Sequence, residues 1–184
     1  MSRIGKKMID IPDGVKVSQK DKKLSFAGPK GTLEINLHRI ITTQIDEAGK
    51  KLKVLCDAKT AQEKAIHGTY RSLINNAVIG VQKGYEKKIE IHGVGYNTKV
   101  QGPEITLVLG YSHPIKMIIP KGLTVTSPNP NTLVIEGADK ELVGHFAFKI
   151  RDIKPCEPYN LKGIKYADEV IKKKAGKTFV SGAS

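Results

Sequence analysis

Ile11-Pro12-Asp13-Gly14-Val15-Lys16-Val17 returns in the second half of the chain as Ile119-Pro120-Lys121-Gly122-Leu123-Thr124-Val125. Each copy sets a Pro-x-Gly turn between alternating apolar residues, the pattern of a strand entered through a tight turn. Each is followed by a strand ending in glycine: Leu24-Ser25-Phe26-Ala27-Gly28 after the first, Leu133-Val134-Ile135-Glu136-Gly137 after the second. Each half then closes with an amphipathic helix. The duplication predicts an α+β fold of two tandem repeats, each a small antiparallel sheet packed against one helix, with a basic C-terminal extension. The expected boundaries are residues 1–8 for a basic N-terminal arm, 9–82 and 83–153 for the two domains, and 154–184 for the extension.

Outward from the first copy, Lys23–Ala27 is a strand, Gly28-Pro29-Lys30-Gly31 a turn, and Leu33, Ile35 and Leu37 the next strand. Ile41, Thr43 and Ile45 face Leu52, Val54 and Cys56 as a hairpin around Glu47-Ala48-Gly49-Lys50. The period then changes. Thr60-Ala61-Gln62-Glu63 is a capping box, in which hydroxyl and carboxylate each satisfy a free backbone N–H. Behind it Ile66, Tyr70, Leu73, Ile74, Ala77, Val78 and Val81 share one helical face that ends near Gly84. Outward from the second copy, strands are expected around Ile89 and Ile91, Thr98 and Val100, Ile105 to Leu109, and Ile115 to Ile119. Asp139 caps a second helix with Leu142, Val143, Phe146 and Ile150 on one face, and Pro155 stops it. Several strands precede the repeated block in this half, so the two topologies need not match.

The chain has 184 residues and a formal charge of +13. Residues 149–177 hold nine Lys/Arg against four Asp/Glu, and residues 1–7 hold Arg3, Lys6 and Lys7 with no acid, whereas the middle is nearly balanced. A globular body with basic ends is the footprint of a polyanion binder. Cys56 and Cys156 match no metal spacing. Two thiols without an export signal point to a reducing compartment, and no run approaches a membrane span.

The chemical motifs are weak. Gly28-Pro29-Lys30-Gly31 has the letters of an RNA-clamping GxxG loop, but that loop joins two helices and this one joins two strands. Lys30 can still meet a phosphate. Gly93 and Gly95 lack the third glycine and the helix of a dinucleotide site. The five histidines, at 38, 67, 92, 113 and 145, form no ligand pair, although His92 and His113 both lie in turns that the fold can bring together. Lysines near Cys156 can lower its pKa, but no base accompanies it. Nothing assembles an acid, a base and a nucleophile. The expectation is no enzyme, no catalytic residue, no cofactor and no metal.

Residues 154–177 carry the functional signal: Lys154-Pro155-Cys156-Glu157-Pro158-Tyr159-Asn160-Leu161-Lys162-Gly163-Ile164-Lys165-Tyr166-Ala167-Asp168-Glu169-Val170-Ile171-Lys172-Lys173-Lys174-Ala175-Gly176-Lys177. Prolines and glycine keep the first half extended, and acids before lysines favour a short helix over Ala167–Lys174. The stretch has few apolar residues with which to fold alone. Its lysines, Lys172 and Lys173 among them, suit phosphates, and Tyr159 and Tyr166 offer rings to RNA or to their own domain.

Four stretches together resemble the universal family of the sixth protein of the large ribosomal subunit, in its bacterial or organellar form: Ser2-Arg3-Ile4-Gly5-Lys6; Gly28-Pro29-Lys30-Gly31-Thr32-Leu33; Gly93-Val94-Gly95-Tyr96 with Leu109-Gly110-Tyr111-Ser112-His113-Pro114; and Glu157-Pro158-Tyr159 with Lys162-Gly163-Ile164-Lys165-Tyr166 and Gly176-Lys177. The resemblance implies two tandem α+β domains in a structural protein that binds large-subunit rRNA of the 23S type through its second domain and tail. It implies a place on the ribosome, cytoplasmic or organellar, beside neighbouring ribosomal proteins. The site is expected near the docking region of translational GTPases and the sarcin–ricin loop, with the protein a monomer there and no membrane involved. Lys154, Tyr159, Lys162, Gly163, Lys165, Tyr166 and Lys177 carry over as rRNA-binding residues, with Arg3 and Lys6 from the arm. The chain departs from the pattern at Asn160-Leu161, where the family usually has Lys-Gly, and at Cys156, where it often has Pro. The competing class is a nucleic-acid-binding module that works off the ribosome. On the leading reading, a chain ending at Pro155 keeps a folded body and loses rRNA.

Overall fold

The computed structural model describes residues 3–46, 50–57 and 60–176. The repeat read from the sequence is a structural repeat. The Val15 N–H donates to the Pro12 carbonyl at 3.2 Å, and the Leu123 N–H donates to Pro120 at 3.3 Å. Gly14 and Gly122 take φ of 94° and 92°, the sign a type II turn demands at its third position. The chain divides into two compact units, Met1–Tyr85 with Gly137–Glu141, and Glu86–Glu136 with Leu142–Ser184.

In the first unit, β2 (Lys16–Lys20), β3 (Lys23–Gly28) and β4 (Gly31–Asn36) form one antiparallel sheet. A second sheet has the order β1 (Ile9–Asp10), β6 (Lys51–Cys56), β5 (Ile41–Ile45). The α+β repeat with one helix stands, and its sheet is built as two small antiparallel ones. Alternation sets their inner faces: Leu24 and Phe26 on β3, and Leu52, Val54 and Cys56 on β6, are buried. Helix α1 (Ala61–Gln82) starts at the expected capping box, with the Glu63 N–H donating to Thr60 Oγ1 at 3.3 Å and the Thr60 N–H to Glu63 Oε2 at 2.9 Å. Ile74, Ala77, Val78 and Val81 complete this core. Leu73, expected on the same face, is 40% exposed. His67 is buried instead, donating from Nε2 to the Val54 carbonyl at 3.0 Å.

The second unit holds the sheet β10 (Ile115–Ile118), β9 (Glu104–Val108), β8 (Asn97–Gln101) and a four-stranded sheet ordered β11 (Leu123–Asn129), β12 (Thr132–Gly137), β7 (Tyr85–His92), β13 (Gly163–Tyr166). Helix α2 (Lys140–Ile153) starts where Asp139 Oδ1 accepts the Glu141 N–H at 2.9 Å, and it stops before Pro155. Ile89, Ile91, Ile105, Leu107, Leu133, Ile135, Phe146 and Ile150 are buried.

Strand β13 lies inside the stretch read as lacking structure of its own. It pairs antiparallel with β7 in the register Gly163↔His92, Ile164↔Ile91, Lys165↔Glu90, Tyr166↔Ile89. Ile164 is fully buried. The helix expected over Ala167–Lys174 is absent: residues 167–168 turn, and the chain then runs without regular structure to 176. A cut after Pro155 therefore removes an edge strand and part of the core, not a detachable tail. Ile164→Ala is expected to cost about 2–5 kcal/mol, the range for emptying a buried isoleucine site. Urea unfolding of the full chain checks it.

Candidate nucleic-acid interface

Lys154 leaves the end of α2 and is half-buried. Its Nζ donates to the Leu109 carbonyl at 2.6 Å and lies 4.7 Å from the ring centroids of both Tyr96 and Tyr111. A hydrogen bond with Tyr96 chiefly, helped by the charge environment of both tyrosines and Glu157, raises its pKa. Tyr111 also donates its hydroxyl to the Ile153 carbonyl at 3.0 Å. The Gly93–Tyr96 and Gly110–His113 turns thus converge on one lysine, whose ammonium is engaged inside the fold.

The chain then doubles back. The Ile164 N–H donates to the Lys154 carbonyl at 2.8 Å, and Pro155 bridges Ile164 in parallel sense. The Glu157 N–H donates to the Lys162 carbonyl at 3.0 Å and the Leu161 N–H to the Glu157 carbonyl at 2.9 Å. These bonds close a loop over Pro158, Tyr159, Asn160 and Leu161. Leu161, at the departure from the family pattern, has φ 57°. A left-handed backbone costs a non-glycine residue roughly 1–2 kcal/mol. Gly163 is buried with φ 135°, and a Cβ there would stand 2.6 Å from the Pro155 oxygen. Its part is to admit the chain crossing, since it has no side chain to offer a ligand. Tyr159 is 52% exposed at the loop tip, and Lys162 is exposed beside it.

Beyond β13, acids hold part of the basic charge. Arg151 clasps Glu169 with Nε–Oε2 at 2.9 Å and Nη2–Oε1 at 2.5 Å, and Glu169 Oε2 accepts the Tyr166 N–H at 3.2 Å. Lys87 pairs with Asp168 at 3.2 Å, and the Tyr166 ring lies 5.3 Å from Lys87 Nζ and 5.6 Å from Arg151 Cζ. Lys165 Nζ lies 3.4 Å from Glu90 Oε2, which also meets His92 Nε2 at 3.3 Å. Hydrogen bonds from Arg151, Lys87 and His92 respectively are the main causes that hold Glu169, Asp168 and Glu90 below the ordinary carboxylate range.

The sequence-read candidates therefore fall into two groups. Lys154, Lys165 and Tyr166 are tied into the second unit, and Gly163 is structural. Lys162, Lys172 and Lys173, with Lys149 and Lys174, are exposed, and their side chains form no ion pair among the described residues. Lys177 lies outside the described residues. Arg3 and Lys6 are exposed, but the arm is a turn seated on α1: Gly5 packs on the His67 ring, and Arg71 donates to the Lys7 and Met8 carbonyls at 3.4 and 3.3 Å. The Gly28–Gly31 turn joins β3 to β4, and the Lys30 N–H donates to the Val81 carbonyl at 3.0 Å. The Cys156 thiol pKa is raised, by burial first, against the lowering expected from nearby lysines. No group of three potential metal ligands occurs among the described residues, and no helix among them is long and apolar enough to cross a membrane.

A family model described as ribosomal protein L6 matches residues 11–84 and 92–167, so each matched segment holds one copy of the repeat. The large ribosomal subunit protein uL6 of Geobacter metallireducens is 49% identical over 178 residues, 97% of this chain and 98% of its own. The protein of the same name from Geotalea daltonii is 48% identical over 178 residues, with the same coverage. That of Carboxydothermus hydrogenoformans is 45% identical over 178 residues, 97% of each chain.

The depressed carboxylates set a pH dependence. A carboxyl whose folded pKa lies below its unfolded value stabilises the fold above the unfolded value, and this contribution is lost as pH falls through the folded one. The melting temperature of the chain is expected to be level above about pH 5 and to drop on acidification below the ordinary carboxylate pKa near 4.3. Glu169→Gln should cost on the order of 1–2 kcal/mol at pH 7, as loss of a charge-assisted bond does, and should shrink the acid drop. Calorimetry from pH 7 to pH 3 reads both.

Proposed function

The chain belongs to the ribosomal protein L6 family, and we propose that it binds large-subunit rRNA through the lysines its own acids leave free. It is a structural protein of the large ribosomal subunit, not an enzyme. One observation carries the rRNA reading. Lys162, Lys172, Lys173 and Lys174 are exposed, and their side chains form no ion pair among the described residues, on a segment anchored to a folded sheet. Phosphate contacts release counterions, so such lysines add salt-dependent affinity. Anchoring the segment through β13, Glu169 and Asp168 removes chain entropy before the RNA arrives. Lys154 and Lys165 serve by holding this support, Tyr159 and Lys162 by reaching outward from the loop, and Arg3 and Lys6 by adding charge at the other unit.

The triple variant Lys172→Gln, Lys173→Gln, Lys174→Gln should lower the salt slope of rRNA binding by about 2–3, near one unit per phosphate contact. Its melting temperature should not change. Lys154→Met should do the reverse, lowering the melting temperature and leaving the slope nearly intact. An unchanged slope in the triple variant overturns the assignment.

The family further supports a seat near the docking region of translational GTPases and the sarcin–ricin loop, among neighbouring ribosomal proteins and as a single copy. A hydroxyl-radical source tethered at Lys172→Cys, in a background without the two native cysteines, is expected to cleave that loop in reconstituted subunits. Cleavage confined to distant rRNA would overturn the placement.

A further inference from the structure

The loop from Glu157 to Lys162 holds a residue that its backbone does not favour. Leu161 sits at φ 57°, where glycine or asparagine is the ordinary occupant. The loop begins like a turn with Pro158 in its second position, and the left-handed residue follows to send the chain back toward β13. Both ends are closed, by Glu157 N–H to Lys162 O and by Leu161 N–H to Glu157 O. The far side is clamped again where the Lys174 N–H donates to the Pro158 carbonyl at 3.0 Å. The Leu161 side chain is half-buried, while Tyr159, Asn160 and Lys162 are exposed.

A strained residue persists where its surroundings over-determine it, and such residues gather where a fixed geometry is useful. A glycine at this position would take the same φ without cost and would also open many other conformations to the loop. Leucine, which carries a Cβ, leaves the loop far fewer of those conformations. We infer that Leu161 is a positioning residue that holds Tyr159 and Lys162 ready for RNA. The ordering of the loop is then complete before association, and affinity gains by the entropy that binding no longer has to remove. This rests on the reading that the segment meets rRNA.

The test compares Leu161→Gly and Leu161→Asn with the unaltered chain, each binding large-subunit rRNA across a salt series. Asparagine accepts the left-handed region but keeps fewer alternatives than glycine. Leu161→Gly should weaken binding about three- to tenfold at every salt concentration, with the salt slope unchanged because no charge is lost. Its melting temperature should be equal or higher, since strain is relieved. Leu161→Asn should bind within about twofold of the unaltered chain. Wild-type affinity in the glycine variant overturns the inference. So does equal loss in both variants, which would trace the effect to the missing isobutyl group. Failure of the unaltered chain to prefer rRNA over an unrelated structured RNA sinks the underlying reading instead, so the two failures are distinguishable.

Discussion

The Lys154 ammonium, within reach of the rings of Tyr96 and Tyr111 and bonded to the Leu109 carbonyl, ties the end of α2 to the turns that flank the β8–β9 ladder. Cation–π attraction strengthens as water is excluded, and here two rings share one charge. The two tyrosines come from different turns, and the lysine comes from the end of α2. Its carbonyl then receives the Ile164 N–H and so starts the return of the chain into β13. Beyond it, the β13–β7 ladder, the Arg151–Glu169 clasp and the Lys87–Asp168 pair carry the positioning on.

Within a short length of chain some basic side chains meet carboxylates and others meet none among the described residues. Arg151, Lys165 and Lys87 each meet a carboxylate, and those pairs fasten the segment after β13 to the sheet. The exposed members of these pairs contribute little to stability singly. The Arg151–Glu169 clasp is different, because both partners are largely shielded and the guanidinium binds in two places. Between Glu169 and Gly176 no further acid occurs, and the side chains of Lys172, Lys173 and Lys174 form no ion pair among the described residues. Basic composition alone cannot separate a lysine that holds the fold from one that is offered outward.

Elements with a local period were legible in the sequence: the Pro-x-Gly repeat, the strands with alternating Leu24–Phe26 and Ile89–Ile91, and the Thr60–Glu63 cap. Strand β13 was not, because Gly-Ile-Lys-Tyr holds one fully buried apolar residue and its partner β7 lies far back in the chain. The order of acids before lysines in Ala167–Lys174 favours a helix, but Glu169 is drawn to Arg151 and to the Tyr166 N–H instead, a tertiary competition that local propensity does not see. His67 lies next to the apolar face of α1 and is written as one more scattered histidine until the Val54 carbonyl is seen opposite it. At the candidate site, the identity of the basic stretch could be read from the letters. Its division into holding and reaching residues could not, since that depends on Glu90, Tyr96 and Tyr111 from distant elements.

The late arrival of β13 has a consequence during synthesis. The strands of the first unit and α1 are contiguous, so this unit can close its sheets as soon as residue 82 is available. Strand β7 has no such freedom. Its edge partner is made about seventy residues after it, and at roughly 5–20 residues per second the nascent chain spends several seconds with that edge open. An open β edge is a template for pairing with other chains. The polar residues that alternate along β7, Glu86, Lys88, Glu90 and His92, are of the kind that discourages edge-to-edge pairing, and Lys165 meets Glu90 once β13 is in place.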